Sequence, residues 1–167
     1  MQPIDLLISH GAVVTMDPLR TVLYDGALAI DGGHIVALGP TDQLESRYAP
    51  ARTIDASRRA VLPGFIDTHH HFLQNLLKGT PDDLELVEWI DCVSSPRIVL
   101  AVGGYLAGDY GLQIHSSRLG CVEALRSGIT CLLNMEWATP PEVVDVFENL
   151  GLRVVQTLTL TDVDQWN

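Results

Sequence analysis

The sequence predicts an α/β chain, with a β-rich segment over residues 1–59 and alternating strands and helices over residues 60–167. Three observations predict it. Up to about Ile54, short β-branched and apolar runs are broken by turn residues and show no helical periodicity. From Ala60 onward, apolar runs alternate with stretches whose apolar residues recur every three to four positions. Strands that alternate with helices in this way build a parallel sheet covered by its crossover helices.

In the first segment, strands are expected at 5–10, 12–16, 27–30 and 34–38, as a small antiparallel sheet. Asp31-Gly32-Gly33 between the last two is a hairpin signal, because glycine accepts the positive φ of a tight connection. Around residue 60, Ala60-Val61-Leu62 and Phe65-Ile66 flank Pro63-Gly64, and a buried strand is expected at about 60–68. Leu84, Val87, Ile90 and Cys92-Val93 recur at helical spacing behind Asp82 and Asp83, which suit a helix N-terminus, so a short helix is expected at 83–92. A second helix is expected at 109–126, stopped by Ser127-Gly128, and then a strand at 129–133. Pro140-Pro141 and Glu142 open a third helix, which Gly151 ends before a strand at 152–160. Three strands cannot close a (β/α)8 barrel, which takes ~250 residues, and the edge after the last strand is expected to be left unpaired.

Ten Lys and Arg against 21 Asp and Glu give a formal charge of -11. That field repels polyphosphate backbones and anionic membrane surfaces, so neither nucleic acid nor a membrane is expected as a partner. Cys92, Cys121 and Cys131 make neither a C-x-x-C pair nor a disulfide framework, and are expected as small buried apolar residues in a reducing compartment. No basic stretch leads into an apolar h-region at the N-terminus, and no run approaches the ~18 apolar residues of a membrane span. A soluble cytoplasmic protein is the expectation.

Residues 63–71 read Pro-Gly-Phe-Ile-Asp-Thr-His-His-His. In an extended strand alternate side chains share a face, so His69 and His71 should project together and His70 away from them. That spacing lets two imidazoles reach one cation at ~2.0–2.1 Å. A bare His-x-His arises often by chance, but three histidines ending an apolar strand would be costly to bury without partners. His69 and His71 are therefore the candidate metal ligands.

This segment resembles the first barrel strand of the amidohydrolase superfamily, whose Pro-Gly-Phe-x-Asp-x-His-x-His type signature supplies two metal ligands. The β-rich segment before it resembles the small sandwich domain that precedes that barrel. The likeness continues through Thr15-Met16-Asp17, the strand at 33–39, Gln74 and the run from Ala124-Leu125-Arg126 to Ser127-Gly128-Ile129-Thr130. It is nearest to the branch of cytosine and guanine deaminases, 8-oxoguanine deaminases and triazine chlorohydrolases. The resemblance implies the N-terminal part of a small β-sandwich domain, followed by the first three units of an incomplete (β/α)8 TIM-type barrel. It also implies a divalent metal, Zn2+ before Fe2+, and a small heterocyclic substrate. The implied reaction is hydrolysis of a carbon–nitrogen (non-peptide) bond, the deamination of an aminated heterocycle or cyclic amidine by metal-activated water, with dehalogenation as a variant.

Two departures limit what the resemblance carries. Cys131 and Asn134 stand where the branch usually has Thr and Asp, and neither is assigned a role. The family's remaining ligands, its sixth-strand His and its acid/base Glu would lie beyond Asn167. The chain alone is thus expected to be inactive, as a truncated product or as one chain that needs a complementary chain or a homo-oligomer. A module in which His69, His70 and His71 merely sequester metal is disfavoured, because nothing else completes a four-ligand site.

Gln74, three residues past His71, is the candidate substrate contact, since its amide both donates and accepts. Glu136, just after the second barrel strand, is a weaker candidate at the end where barrel sites lie. His70 is expected to pack or to support its neighbours, and His10, His34 and His115 are expected to be structural. Trp89 and Trp137 are expected in the core.

Overall fold

Strand β1 (Gln2–Val14) organises the first of the two units of the computed structural model, Met1–Pro63 and Gly64–Asn167. The structure describes residues 1–80 and 83–159. Leu7, Ser9, Gly11 and Val13 of β1 are buried at alternate positions, as the period of a strand requires. β1 runs antiparallel to β2 (Val22–Asp31) and parallel to both β4 (Tyr48–Asp55) and the short β5 (Ala60–Val61). β3 (His34–Pro40) pairs with β2, giving the order β3-β2-β1-β4 with β5 on β1.

The two runs expected on either side of Gly11 are therefore one strand, bent by register shifts between Ile8 and Val13. The sheet is mixed where an antiparallel one was expected. The cause is helix α1 (Thr41–Arg47), which lies between β3 and β4, so that β4 runs parallel to β1. This helix is only seven residues long and buries just Thr41 and Leu44, too little to give a periodic signal. The β2–β3 hairpin forms as expected, with Gly32 at φ 55° and Gly33 at φ 77° and with Asp5 Oδ2 accepting the Gly32 N–H at 2.8 Å. Ile4, Leu7, Ala27, Ala29, Leu44 and Tyr48 make the core of this unit.

In the second unit, β6 (Phe65–His70), β7 (Ile129–Glu136) and β8 (Arg153–Leu158) form a parallel sheet in the order β6-β7-β8. The strand expected at 60–68 is two strands. Pro63 has no amide to donate to a ladder, and Ala60-Val61 belongs to the first sheet as β5. Nor is β6 buried, since Phe65 and Ile66 are 54% and 69% exposed. Among the described residues β6 pairs only with β7, and β8 likewise pairs only with β7.

A 3-10 helix (Phe72–Leu77) follows β6. Next, α2 (Leu86–Trp89), a π turn (Ile90–Ser94) and α3 (Ser95–Ala107) form one helix, where a short one at 83–92 was expected. Pro96 reads as a stop in sequence, but the wide π turn directly ahead of it accommodates its ring and its missing N–H, so the helix runs on through it. Asp82 lies outside the described residues, and Asp83 precedes the helix, which starts behind Glu85. By length and composition Leu86–Ala107 is apolar enough to cross a membrane, against the expectation that no run comes close. Its Arg97, Ile98 and Ala101 are nonetheless buried within this unit.

Helix α4 (Gly111–Arg126) leads into β7, and α5 (Pro141–Leu150) ends at Gly151, whose φ of 69° makes a left-handed cap. The last strand ends at Leu158, and Leu160 of the expected 152–160 strand lies outside the described residues. Phe72 stacks on Phe147 with centroids 5.0 Å apart, in a core with Cys121, Ala124, Leu132, Val143 and Val146. Burial pushes the Cys121 thiol up to about 11. Cys92 is exposed and Cys131 half-buried, so only one cysteine is the buried apolar residue expected of all three.

Candidate metal centre

The end of β6 brings His69 Nε2 and His71 Nε2 to 3.2 Å of each other, with the two rings edge to face at 78°. Two nitrogens bound at ~2.0–2.1 Å to one tetrahedral cation lie about 3.3–3.4 Å apart, so the pair fits a shared metal with almost no movement. His70 turns the other way. Its Nδ1 donates to Asp67 Oδ2 at 3.1 Å, its Nε2 accepts from Asn75 Nδ2 at 3.3 Å, and its ring packs on Phe72. Asp67 Oδ1 also accepts the His69 N–H at 3.1 Å, which ties the strand end together.

Strand β7 supplies the support for this geometry in three consecutive residues. The His71 Nδ1–H donates to the Met135 carbonyl, which fixes the tautomer and leaves the Nε2 lone pair free for a cation. Asn134 Oδ1 accepts the Phe72 N–H at 3.1 Å, and Glu136 Oε1 accepts the Leu73 N–H at 2.9 Å. The chain leaving His71 is thereby held at each of the next two amides. Asn134 is in turn held by Gln156 of β8, whose Oε1 accepts from its Nδ2 at 2.8 Å. Sequence reading missed the Met135 carbonyl, because a main-chain acceptor has no residue signature. It also assigned no role to Asn134, although two polar residues at alternate positions of an apolar strand were the available signal.

Asn134→Ala should strand the buried Phe72 N–H and lower stability by about 1–3 kcal/mol. It should also weaken metal binding at His71, as seen in paired denaturation and metal titrations. Unchanged values in both would detach Asn134 from the site.

His69, His70, His71, Gln74, Lys78 and Trp89 line one cleft of about 380 Å3. Gln74 sits in the 3-10 helix, its N–H bonded to the His71 carbonyl at 3.1 Å. Trp89, expected in the core, is half-buried and forms a wall of this cleft beside the π turn. Such turns recur at functional sites because they re-aim the residues that flank them. Trp137 instead faces a separate small apolar cavity with Ile98 and Tyr105. Glu136 is 5% exposed and lies outside the cleft lining, so its carboxylate acts on the backbone behind His71. Among the described residues no third His, Cys, Asp or Glu joins the pair to complete a metal site.

Burial holds the pKa of His71 below the ordinary 6.5, opposed by its hydrogen bond to Met135 and aided by the nearby charges of His69, Arg97 and His70. The fold therefore favours the neutral ring that a cation needs. The unfolded ring takes up its proton first, so the contribution of this group is complete above pH 6.5 and is lost as pH falls from there through the lower folded value. The urea midpoint of the metal-free chain should drop between pH 7.5 and 5.5, and drop less in His71→Asn. Equal slopes in the two proteins would contradict this.

Residues 60–161 match the model of the amidohydrolase family, and residues 26–51 match an imidazolonepropionase-like composite domain of bacteria. A 5-methylthioadenosine/S-adenosylhomocysteine deaminase of Nitratidesulfovibrio vulgaris is 36% identical over 134 residues, which cover 80% of this chain and 29% of that protein. A zinc-bound adenosine deaminase from Xanthomonas campestris superposes with a TM-score of 0.81 at 33% identity, over 92% of this chain and 34% of that one. An atrazine chlorohydrolase of Arthrobacter aurescens complexed with zinc gives 0.76 at 25% identity, over 92% and 35%. The chain spans about a third of the length of these relatives. Since the family model covers more than half of its residues and includes the segment that carries His69 and His71, the chain belongs to the amidohydrolase family.

Proposed function

We propose that this chain is the metal-binding N-terminal portion of a hydrolase that releases ammonia from an aminated heterocycle, with adenosine-type compounds the favoured class. The observation that carries the reading is the convergence of His69 Nε2 and His71 Nε2 at 3.2 Å, with His71 held in the ligating tautomer by Met135. The relatives' names favour deamination of an adenine ring over dehalogenation of a triazine, because the deaminases are the more similar in sequence. Zinc is the favoured cation, since both structural relatives hold it; iron(II) suits imidazole ligands as well.

When bound, such a cation would supply Lewis acidity and lower the pKa of a water toward ~7. His69 and His71 hold the cation and move no proton. Gln74, on the cleft wall, offers an amide that can pair with both a donor and an acceptor on a heterocycle edge. Trp89 offers a flat apolar wall that excludes water from one side of the ring.

The pair has no third ligand among the described residues, so the chain by itself is a poor catalyst and needs the complementary part of the barrel. That part would also cover the edges of β6 and β8 that are unpaired among the described residues, where Phe65, Ile66, Val155 and Leu158 are exposed. Three unpaired cysteines fit a reducing, cytoplasmic compartment.

The test is to continue this chain with the remaining two thirds of the Xanthomonas campestris adenosine deaminase and follow ammonia release from adenosine. Turnover that a chelator abolishes and zinc restores is expected. A folded, zinc-loaded fusion that releases chloride from a triazine but no ammonia would move the proposal to the dehalogenation variant. One that releases neither would end it.

A further inference from the structure

Behind the histidines, a cavity of about 10 Å3 lies between α4, the end of β7 and the loop before α5. That is the room one water requires, ~10–15 Å3. Gln113, Glu136 and Thr139 are among its lining residues, and Gln113 Oε1, Glu136 Oε2 and Thr139 Oγ1 are all buried without a hydrogen-bond partner among the described residues. Three such atoms around one small cavity are unusual, because buried polar groups are nearly always paired.

Their chemistry is complementary to a single molecule. Gln113 Oε1 and the Glu136 carboxylate oxygen accept, while the Thr139 hydroxyl can donate. Arg97, 4% exposed, brings Nη1 only to 3.6 Å from Glu136 Oε2, too long for a hydrogen bond, and Arg97 Nη1 and Nε are likewise buried without a partner among the described residues.

We propose that Gln113, Glu136 and Thr139 enclose one structural water, which donates to Gln113 Oε1 and Glu136 Oε2 and accepts from the Thr139 hydroxyl. The water fixes the carboxylate whose other oxygen holds the Leu73 N–H at 2.9 Å, two residues past His71. It thus ties α4 and the loop after β7 to the backbone that carries the metal ligands. The proposal does not depend on which reaction the family member performs.

The test is a crystal structure of the full 167-residue chain at a resolution where ordered waters are located, with Thr139→Ser and Thr139→Val beside it. The expected result is one peak within hydrogen-bond distance of the three named atoms, kept in Thr139→Ser and lost in Thr139→Val. The folding equilibrium constant should fall on the order of tenfold in Thr139→Val and less in Thr139→Ser, in line with the loss of one buried hydrogen bond. If Thr139→Val does not fold, the wild-type and Thr139→Ser maps decide the question. No density in the cavity, with Arg97 closed onto Glu136 Oε2 or Thr139 bonded directly to Gln113, would overturn the proposal.

Discussion

Replacing His69 and His71 together with alanine should remove stoichiometric divalent metal from the protein completed by the rest of its barrel, and activity with it. The two Nε2 atoms lie 3.2 Å apart, close enough for each ring to offer one bond to a shared cation. Losing an outer partner of a ligating histidine already weakens metal binding ~10–100-fold. Each single replacement should therefore cost more than that, and the pair should leave no ordered site. His70→Ala is the control, because His70 is spent on Asp67 and Asn75. It should keep its metal and lose only some stability. Elemental analysis separates these outcomes, and metal retained by the double variant would remove the site from this strand.

Gly120→Val should destabilise the second unit by at least ~3 kcal/mol, the upper range for overpacking. A Cβ at Gly120 would run into Asn75 Nδ2 and the Phe72 ring. Neither can yield cheaply. Asn75 is 4% exposed and bonded to the Phe72 carbonyl, while Phe72 is 1% exposed and stacked on Phe147. Phe72 follows His71 directly, so the strain should also reach the metal pair. Gly120→Ala should lie between, because alanine recovers up to ~1 kcal/mol of helix propensity against the same clash. Urea denaturation measures both variants, and a neutral Gly120→Val would mean that α4 stands off from the 3-10 helix.

The part of this protein that could be read from sequence is the part governed by side-chain periodicity. The alternation that separated His69 and His71 from His70 needs only the geometry of a strand. The three parallel strands, α4 and α5 follow from apolar spacing and from stops such as Gly151. Contacts made by the main chain leave no such trace, and the Met135 carbonyl that orients His71 could be any residue's. An aromatic among periodic apolar residues usually belongs to the core, whereas Trp89 stands half-buried on the cleft wall, directly before the π turn. The same turn carried the helix through Pro96, so the full length of Leu86–Ala107 was hidden. Ala60-Val61 looked continuous with Phe65-Ile66, and which sheet each joined depended on partners far away in the chain.

His69 and His71 are expected to ligate one cation through Nε2 while His71 Nδ1 stays bonded to Met135. The most direct measurement is a zinc titration of the 15N-labelled chain followed at its six histidines. The expected result is that the Nε2 signals of His69 and His71 move together in proportion to added zinc, with His71 Nδ1 protonated throughout and His10, His34, His70 and His115 unmoved. A response from His70, or from only one of the two ligands, would contradict the account.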